Sequence, residues 1–283
     1  MFHPHMTPAI IAIVIGAGAL HASWNAITKQ VTDRLMAFAW IGTAATITGA
    51  VVLCFTGLPY RTAIPFAVAS AVIHVAYNLA LMNSYRLGAF NQVYPIARGT
   101  SPLLVAVGAY FLAGERLGAP ALLGIATLAA GLMSLALSGS RLTRHDAPAV
   151  WAAVLTGVTI AGYTVVDGLG VRHAHGPWAY TALLFLLQGP PMMVAAAIRR
   201  PASAWRERPA MSRGLLAGLL SVAAYGIVLW AQTKAPLAEV AAIRETSVVF
   251  AALIGLLALD EDFGKRRVVA AVVIATGIVL IGL

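Results

Sequence analysis

Ten apolar stretches follow one another along the chain, at residues 8–28, 35–57, 63–83, 89–113, 119–138, 149–170, 177–198, 212–232, 237–259 and 266–283. Each is close to the roughly 20 residues that an α-helix needs to cross the hydrocarbon core of a bilayer. The gaps are short and hold turn formers and charge: Thr32-Asp33-Arg34, Gly57-Leu58-Pro59, Gly114-Glu115-Arg116, residues 141–148, and the arginine-rich run from Arg199 to Arg213. The pattern predicts an all-α integral membrane protein of ten transmembrane helices, with no room for an extramembrane catalytic domain. Ala17-Gly18-Ala19 has the small-x-small form of a signal-peptide cleavage site. Met1 to Pro8 lacks the Lys or Arg of such a segment, however, so a first membrane helix is expected there.

Polar residues inside these stretches repeat. Arg98-Gly99-Thr100-Ser101 in the fourth returns as Arg244-Glu245-Thr246-Ser247 in the ninth, at an offset of 146. The same offset carries Glu115 onto Glu261, Gly118 onto Gly264 and Gly131 onto Gly277, and Ala76-Tyr77 matches Ala224-Tyr225 at an offset of 148. The first stretch aligns more weakly with the sixth, which sets Trp24 opposite Tyr163. The chain is therefore expected to consist of two five-helix repeats, residues 1–140 and 149–283, joined by a connecting loop at 141–148. Five is odd, so the repeats must enter the membrane with opposite orientation. Inverted repeats related by a pseudo-two-fold axis in the membrane plane let one protein expose a central site to either side in turn.

Composition agrees with this class: 60% of the residues are apolar, 10% are charged and the mean hydropathy is +0.85, against about 25% charged in soluble domains. The net charge of +9 is spread over the gaps, which argues against a nucleic-acid partner. Gaps after the odd-numbered stretches hold most of the bases, whereas the others hold only Arg61, Arg116, Arg172 and Lys234. By the positive-inside rule both termini then lie outside the cytoplasm. The single Cys54 excludes an intrachain disulfide and a multi-cysteine metal site, and is expected as a small core residue. Neither a metal nor a cofactor is expected.

Arg98 and Arg244 fall well inside apolar stretches, where an isolated arginine costs about 2.5–3.5 kcal/mol on insertion scales and generally faces a cavity or a partner. Either they face one another across the pseudo-two-fold axis and offer guanidinium donors to a carboxylate or phosphoryl group, or they are neutralised within the protein. In the second case Glu239 or Glu245 serves Arg244, and carbonyls freed near Pro95 or Pro102 serve Arg98. Glu245, which replaces Gly99, offers a place for a coupling proton or a fixed ion pair. Asp167 reads as a helix-end ion pair with Arg172, and His21 and His74 as satisfied core residues. Trp24, Tyr77, Tyr94, Tyr163 and Trp230 are candidates to wall a pocket, and Asn25 and Asn78, each following an aromatic, are second-tier site residues. Pro95 and Pro102 mark the fourth helix as the more interrupted member of the pair, with Thr100, Ser101, Thr246 and Ser247 supplying hydroxyls that support a gate. Glu115 and Glu261 read as acids that complement the N-terminal dipoles of the following helices. Gly124, Gly131, Gly277 and Gly282 give the fifth and tenth helices small-residue faces that suit a close seam, within a monomer or between the subunits of a homodimer.

These features resemble the EamA family of the drug/metabolite transporter superfamily. The resemblance rests on the five-plus-five layout, the stretch His21-Ala22-Ser23-Trp24-Asn25-Ala26 ending at Lys29, the Gly114-Glu115 turn echoed by Glu261, and the glycine-spaced last helix. It covers essentially the whole chain. It implies a basket of ten helices around a central cavity, with the fourth and ninth lining and gating it, cytoplasmic termini, and export or exchange of small metabolites such as amino acids. The stretch from Tyr94 to Gly99 is also similar to a subgroup found near phosphonate-use genes, which suits an anionic ligand.

The expected function is secondary transport of a small polar metabolite, amino-acid-like or anionic, in a bacterial-type inner membrane, by proton coupling or exchange. One alternative is an integral membrane enzyme acting on a lipid phosphate, but no Gly-x-Ser-x-Gly or His-Glu-x-x-His motif is present. The other is a structural or signalling protein that binds an anionic lipid headgroup, which gives the paired arginines no further purpose.

Overall fold

Helix boundaries follow the punctuation of the sequence. In the computed structural model, which describes residues 6–88, 90–136, 146–258 and 265–283, Pro8 opens α1 (Pro8–Lys29), and the Thr7 side chain accepts from the Ile10 amide. Proline at the first turn loses a donor that has no intrahelical partner anyway. Asp33 caps α2 (Arg34–Thr56) by accepting from the Leu35 and Met36 amides, and Gly57, at φ +69°, ends it in the left-handed region that glycine tolerates. Then come α3 (Ile64–Leu87), α4 (Phe90–Leu112), α5 (Ala119–Ala136), α6 (Ala147–Arg172), α7 (Pro177–Gln188), α8 (Pro190–Arg199), a 3₁₀ turn (Ala202–Arg206), α9 (Arg208–Gln232), α10 (Leu237–Arg244), α11 (Ser247–Ala258) and α12 (Lys265–Ile281).

Two of the predicted stretches are divided. Residues 177–198 split at Gly189-Pro190-Pro191 into α7 and α8, and residues 237–259 split at Glu245-Thr246 into α10 and α11. Among the described residues, seven helices are long and apolar enough to cross a membrane: α1, α2, α3, α5, α6, α7 with α8, and α9. The polar run Arg98–Ser101 and two prolines dilute the apolar character of α4, and the described apolar part of α12 is Val268–Ile281. The predicted loop at 141–148 lies largely outside the described residues, as do Glu261 and Gly264.

The chain is a multi-pass membrane protein, and its outer surface matches that solvent. Phe55, Phe111, Trp151 and Ile198 are all more than 70% exposed; patches of this kind are unusual on soluble monomers. Cys54, expected in the core, is exposed instead, because it lies on the same outer face of α2 as Val51 and Phe55.

The most extensive pairings join the first half of the chain to the second: α3 with α6, α1 with α9, α2 with α7 and α9, α4 with α6, and α5 with α12. Small residues permit this. A Cβ at Gly277 would stand 2.7 Å from Gly124 O, and one at Gly124 would stand 2.6 Å from Gly277 O, so α5 and α12 touch backbone to backbone within one chain. Gly42 likewise lets α2 reach Gly189 O, at the break between α7 and α8. One apolar core cluster then runs through the middle of the bundle, including Val14, Val105, Leu128, Val165, Val228, Val240 and Ile274.

Gly277→Val is expected to destabilise the protein by about 1–3 kcal/mol, because backbone rather than a movable side chain blocks the new methyls. Gly16→Ala, which meets nothing within 4 Å, is expected to leave the melting temperature in detergent unchanged or slightly raised.

Candidate functional site

The second-half helix breaks at the repeated polar cluster. Glu245 N and Thr246 N bond Ala242 O and Ile243 O, and Val248 N and Val249 N bond Glu245 O and Thr246 O. These are i→i+3 bonds, so the helix tightens locally into a 3₁₀ turn, a common mark of a hinge. The tighter period moves Glu245 off the face that a continuous α-helix would give it. Gly18 of α1 packs against the turn so closely that a Cβ there would meet Thr246 Oγ1 at 2.5 Å and Ser247 N at 3.2 Å.

Glu245 thereby reaches α4. Arg98 Nε stands 2.7 Å from Glu245 Oε2, as an ion pair rather than an aligned hydrogen bond, and Arg98 Nη2 donates to Ser247 Oγ at 2.9 Å. Arg244 Nη2 lies 3.5 Å from the other oxygen of the same carboxylate. All three charged groups are buried, with Arg98 4%, Arg244 3% and Glu245 0% exposed. Two guanidiniums thus share one carboxylate, leaving one unit of positive charge in an apolar interior. Among the described residues, Arg244 Nε and Nη2, Ser101 Oγ and Thr246 Oγ1 make no hydrogen bond.

Gly99, the counterpart of Glu245, faces another way. A Cβ there would meet the Met133 side chain at 3.1 Å and Ala129 O at 3.3 Å, so α5 occupies the space. The prolines of α4 do not interrupt it: the helix is continuous through Pro95 and Pro102. Within it, Thr100 Oγ1 donates to Ile96 O and Ala97 O of the preceding turn. The more interrupted member of the pair is therefore α10–α11, contrary to the expectation from the prolines.

Aromatic rings border the cluster. The Tyr94 ring lies 5.7 Å below Arg98 Cζ, within cation–π range. Tyr163 is buried, stacked on His74 at 4.1 Å and edge-on to Tyr77 at 5.6 Å and Tyr225 at 6.1 Å. His21 bonds the Trp24 indole through its ring and Asn25 Nδ2 through its carbonyl, so the Asn25 amide is held by its own helix. Tyr77, Asn78, Tyr94, Trp24 and Asn25 are half-buried. Trp230 packs against the central apolar core instead.

Three residues have partners that the sequence did not suggest. Asp167 is fully buried and accepts from Tyr180 Oη at 2.8 Å and Tyr225 Oη at 2.5 Å; it is not paired with Arg172. The match of Ala76-Tyr77 with Ala224-Tyr225 was the available signal for Tyr225. Arg172 instead binds Glu115 at 2.8 Å and the carbonyls of Gln232 and Ala235. Both carboxylate oxygens of Glu115 accept from the Leu237 amide, at 3.0 and 2.8 Å. Glu115 therefore caps α10 of the other half rather than α5, because the chain following Pro236 brings that free amide to it.

A second ion pair across the halves, Asp33 with Arg200, lies at the opposite end of the bundle. Asp33 opens α2, while Thr56 O at its far end accepts from His175, close to Arg172; the helix between spans about 35 Å. The Arg200 guanidinium hydrogen-bonded to Asp33 holds its carboxyl below the usual range.

Comparison with known proteins follows this architecture. Residues 147–283 match the EamA-like transporter family. That match, over the second half of the chain, is consistent with the drug/metabolite transporter superfamily and suggests a membrane transporter of the drug/metabolite type. No curated protein matches. Among solved structures, one crystal structure of a protein superimposes with a TM-score of 0.75 over 96% of this chain and 94% of the other, at 18% identity; that likeness concerns the fold.

Glu245→Gln is expected to cost about 3–5 kcal/mol, the usual effect of stranding a buried charge, as a lower melting temperature of the purified protein. Arg98→Met combined with Glu245→Met is expected to recover part of the loss. Glu115→Ala is expected to cost about 0.5–2 kcal/mol through the lost cap, with amide exchange accelerated first at Leu237.

Proposed function

We propose that this transporter carries a small polar metabolite, amino-acid-like or anionic, such as a carboxylate or phosphonate, by alternating access. The observation that carries the proposal is the unbalanced charge of Arg98, Arg244 and Glu245. A buried positive charge with unused N–H donors calls for an anion, and a guanidinium presents carboxylate and phosphoryl oxygens with paired donors. The half-buried rings of Tyr77, Tyr94 and Trp24 offer stacking surface beside it, and the hydroxyls of Ser101 and Thr246 offer further contacts.

Alternating access requires two related halves, which we place at residues 1–140 and 149–283. The helix pairings support an inverted repeat. If α1 corresponds to α6, α2 to α7–α8, α3 to α9, α4 to α10–α11 and α5 to α12, then the pairing of α1 with α9 is the counterpart of α6 with α3. The pairings of α2 with α7 and of α5 with α12 are each their own counterpart. The ion pairs Asp33–Arg200 and Glu115–Arg172 tie the halves at opposite ends of the bundle, a placement that suits two gates opening in turn. The 3₁₀ turn at Glu245-Thr246 supplies a hinge between them.

Arg98→Ala and Arg244→Ala are each expected to abolish flux in proteoliposomes while leaving the protein inserted. A screen of amino acids, organic acids and phosphonates identifies the substrate class, since a ligand at 100 times its Kd raises stability by about 2.7 kcal/mol. Wild-type flux by either variant contradicts the assignment.

A further inference from the structure

Asp167 is the one carboxylate described as fully buried with no cationic side chain in ion-pair contact. A buried carboxylate is costly unless its oxygens are bonded, and here three other helices supply hydroxyls. Tyr180 of α7 donates to Oδ1 and Tyr225 of α9 to Oδ2, and the Ser70 hydroxyl of α3 stands near the carboxyl. Hydroxyls differ from guanidinium or ammonium partners in one respect: they both donate and accept. They can therefore satisfy Asp167 as a carboxylate, which accepts from both tyrosines, and as a carboxylic acid, which donates its own O–H back to a neighbouring hydroxyl. A site whose oxygens stay partnered in both protonation states can gain and lose a proton without stranding a buried polar group.

A route to it is also present. His74 Nδ1 lies 2.9 Å from Ser70 O and 3.2 Å from Ser70 Oγ. His74 is half-buried and its ring stacks on Tyr163, at the edge of the aromatic layer beside the arginines. The charged and titratable groups around Asp167 are thus His74 on α3, Tyr163 on its own helix, Tyr180 on α7 and Tyr225 on α9. Arg244 of α10 acts electrostatically on His74, Tyr163 and Tyr225, and Arg98 of α4 acts on Tyr163.

We propose that Asp167, held by Tyr180 and Tyr225 with Ser70 beside it, is a proton-binding site, reached through His74, whose protonation loosens α6 from α7 and α9. The proton leaves the donor that delivers it, ultimately water that reaches His74, and bonds a carboxylate oxygen; the group becomes neutral, and no bond between heavy atoms is made or broken. Hydrogen bonds to a charged acceptor are roughly twice as strong as neutral ones, so neutralisation weakens the Tyr180 and Tyr225 contacts together. This rests on the transporter reading, because movement of these helices matters only if the bundle changes state; it assigns the coupling proton to Asp167 rather than to Glu245.

The test uses the reconstituted full chain with no substrate and no gradient, so that its outcome is independent of the arginine site. Infrared difference spectra between acidic and alkaline pH are expected to show a protonated-carboxyl band that is missing in Asp167→Asn and displaced in Tyr225→Phe. At one neutral pH, Asp167→Asn is expected to exchange amides around Tyr180 and Tyr225 roughly fivefold faster than wild type, while the α5–α12 seam is unchanged. A carboxyl band that persists in Asp167→Asn, or no titrating band in wild type, overturns the proton site. Unchanged exchange in α7 and α9 overturns the loosening. Loss of flux in the arginine variants alongside either result leaves the transporter reading standing and removes only this one.

Discussion

One carboxylate shared by two arginines organises the interior of this protein. In lipid there is no water to solvate a stray charge, so Arg98 and Arg244 are tolerable only where a counter-charge is delivered to them. Glu245 is that group, and it meets Arg98 from the 3₁₀ turn in the helix that bears it. The turn in turn needs the missing side chain of Gly18 on α1. A tightened turn, a close helix crossing and an ion pair therefore meet at a single electrostatic requirement, which is only partly met because one positive charge is left over.

The same logic explains which features were legible in the sequence. Spanning segments were, because the scarcity of charge along about 20 residues is a one-dimensional property. The pairing of the two arginine clusters was, because repetition survives in the order of residues. Partner choice was not. Glu115 lies next to α5 in sequence yet caps α10, since the amide it binds arrives from a different part of the chain. Asp167 looked like a partner for Arg172, five residues on, but a helical spacing of five sets the two on different faces, one toward Tyr180 and Tyr225 and the other toward Glu115. Prolines in α4 suggested a break there, whereas the helix runs on through both.

The halves differ where function requires difference. Gly99 is pressed against Met133 of α5, so a larger side chain there must displace that neighbour; its counterpart Glu245 supplies the carboxylate that both arginines share. The broken helix is likewise in the second half, and Asp167 draws both tyrosine donors from there. Between the arginine cluster and Asp167 lies the aromatic layer of His74, Tyr163 and Tyr225.

The central claim is that the uncompensated charge beside Glu245 receives an anion. Arginine side-chain Nε–H resonances of the reconstituted chain, assigned with Arg98→Lys and Arg244→Lys, report this directly as a carboxylate or phosphonate is added. The account predicts a saturable shift of the Arg244 resonance at concentrations that leave exposed arginines such as Arg200 unmoved. Movement of the surface arginines alone, with Arg244 unchanged, would contradict it.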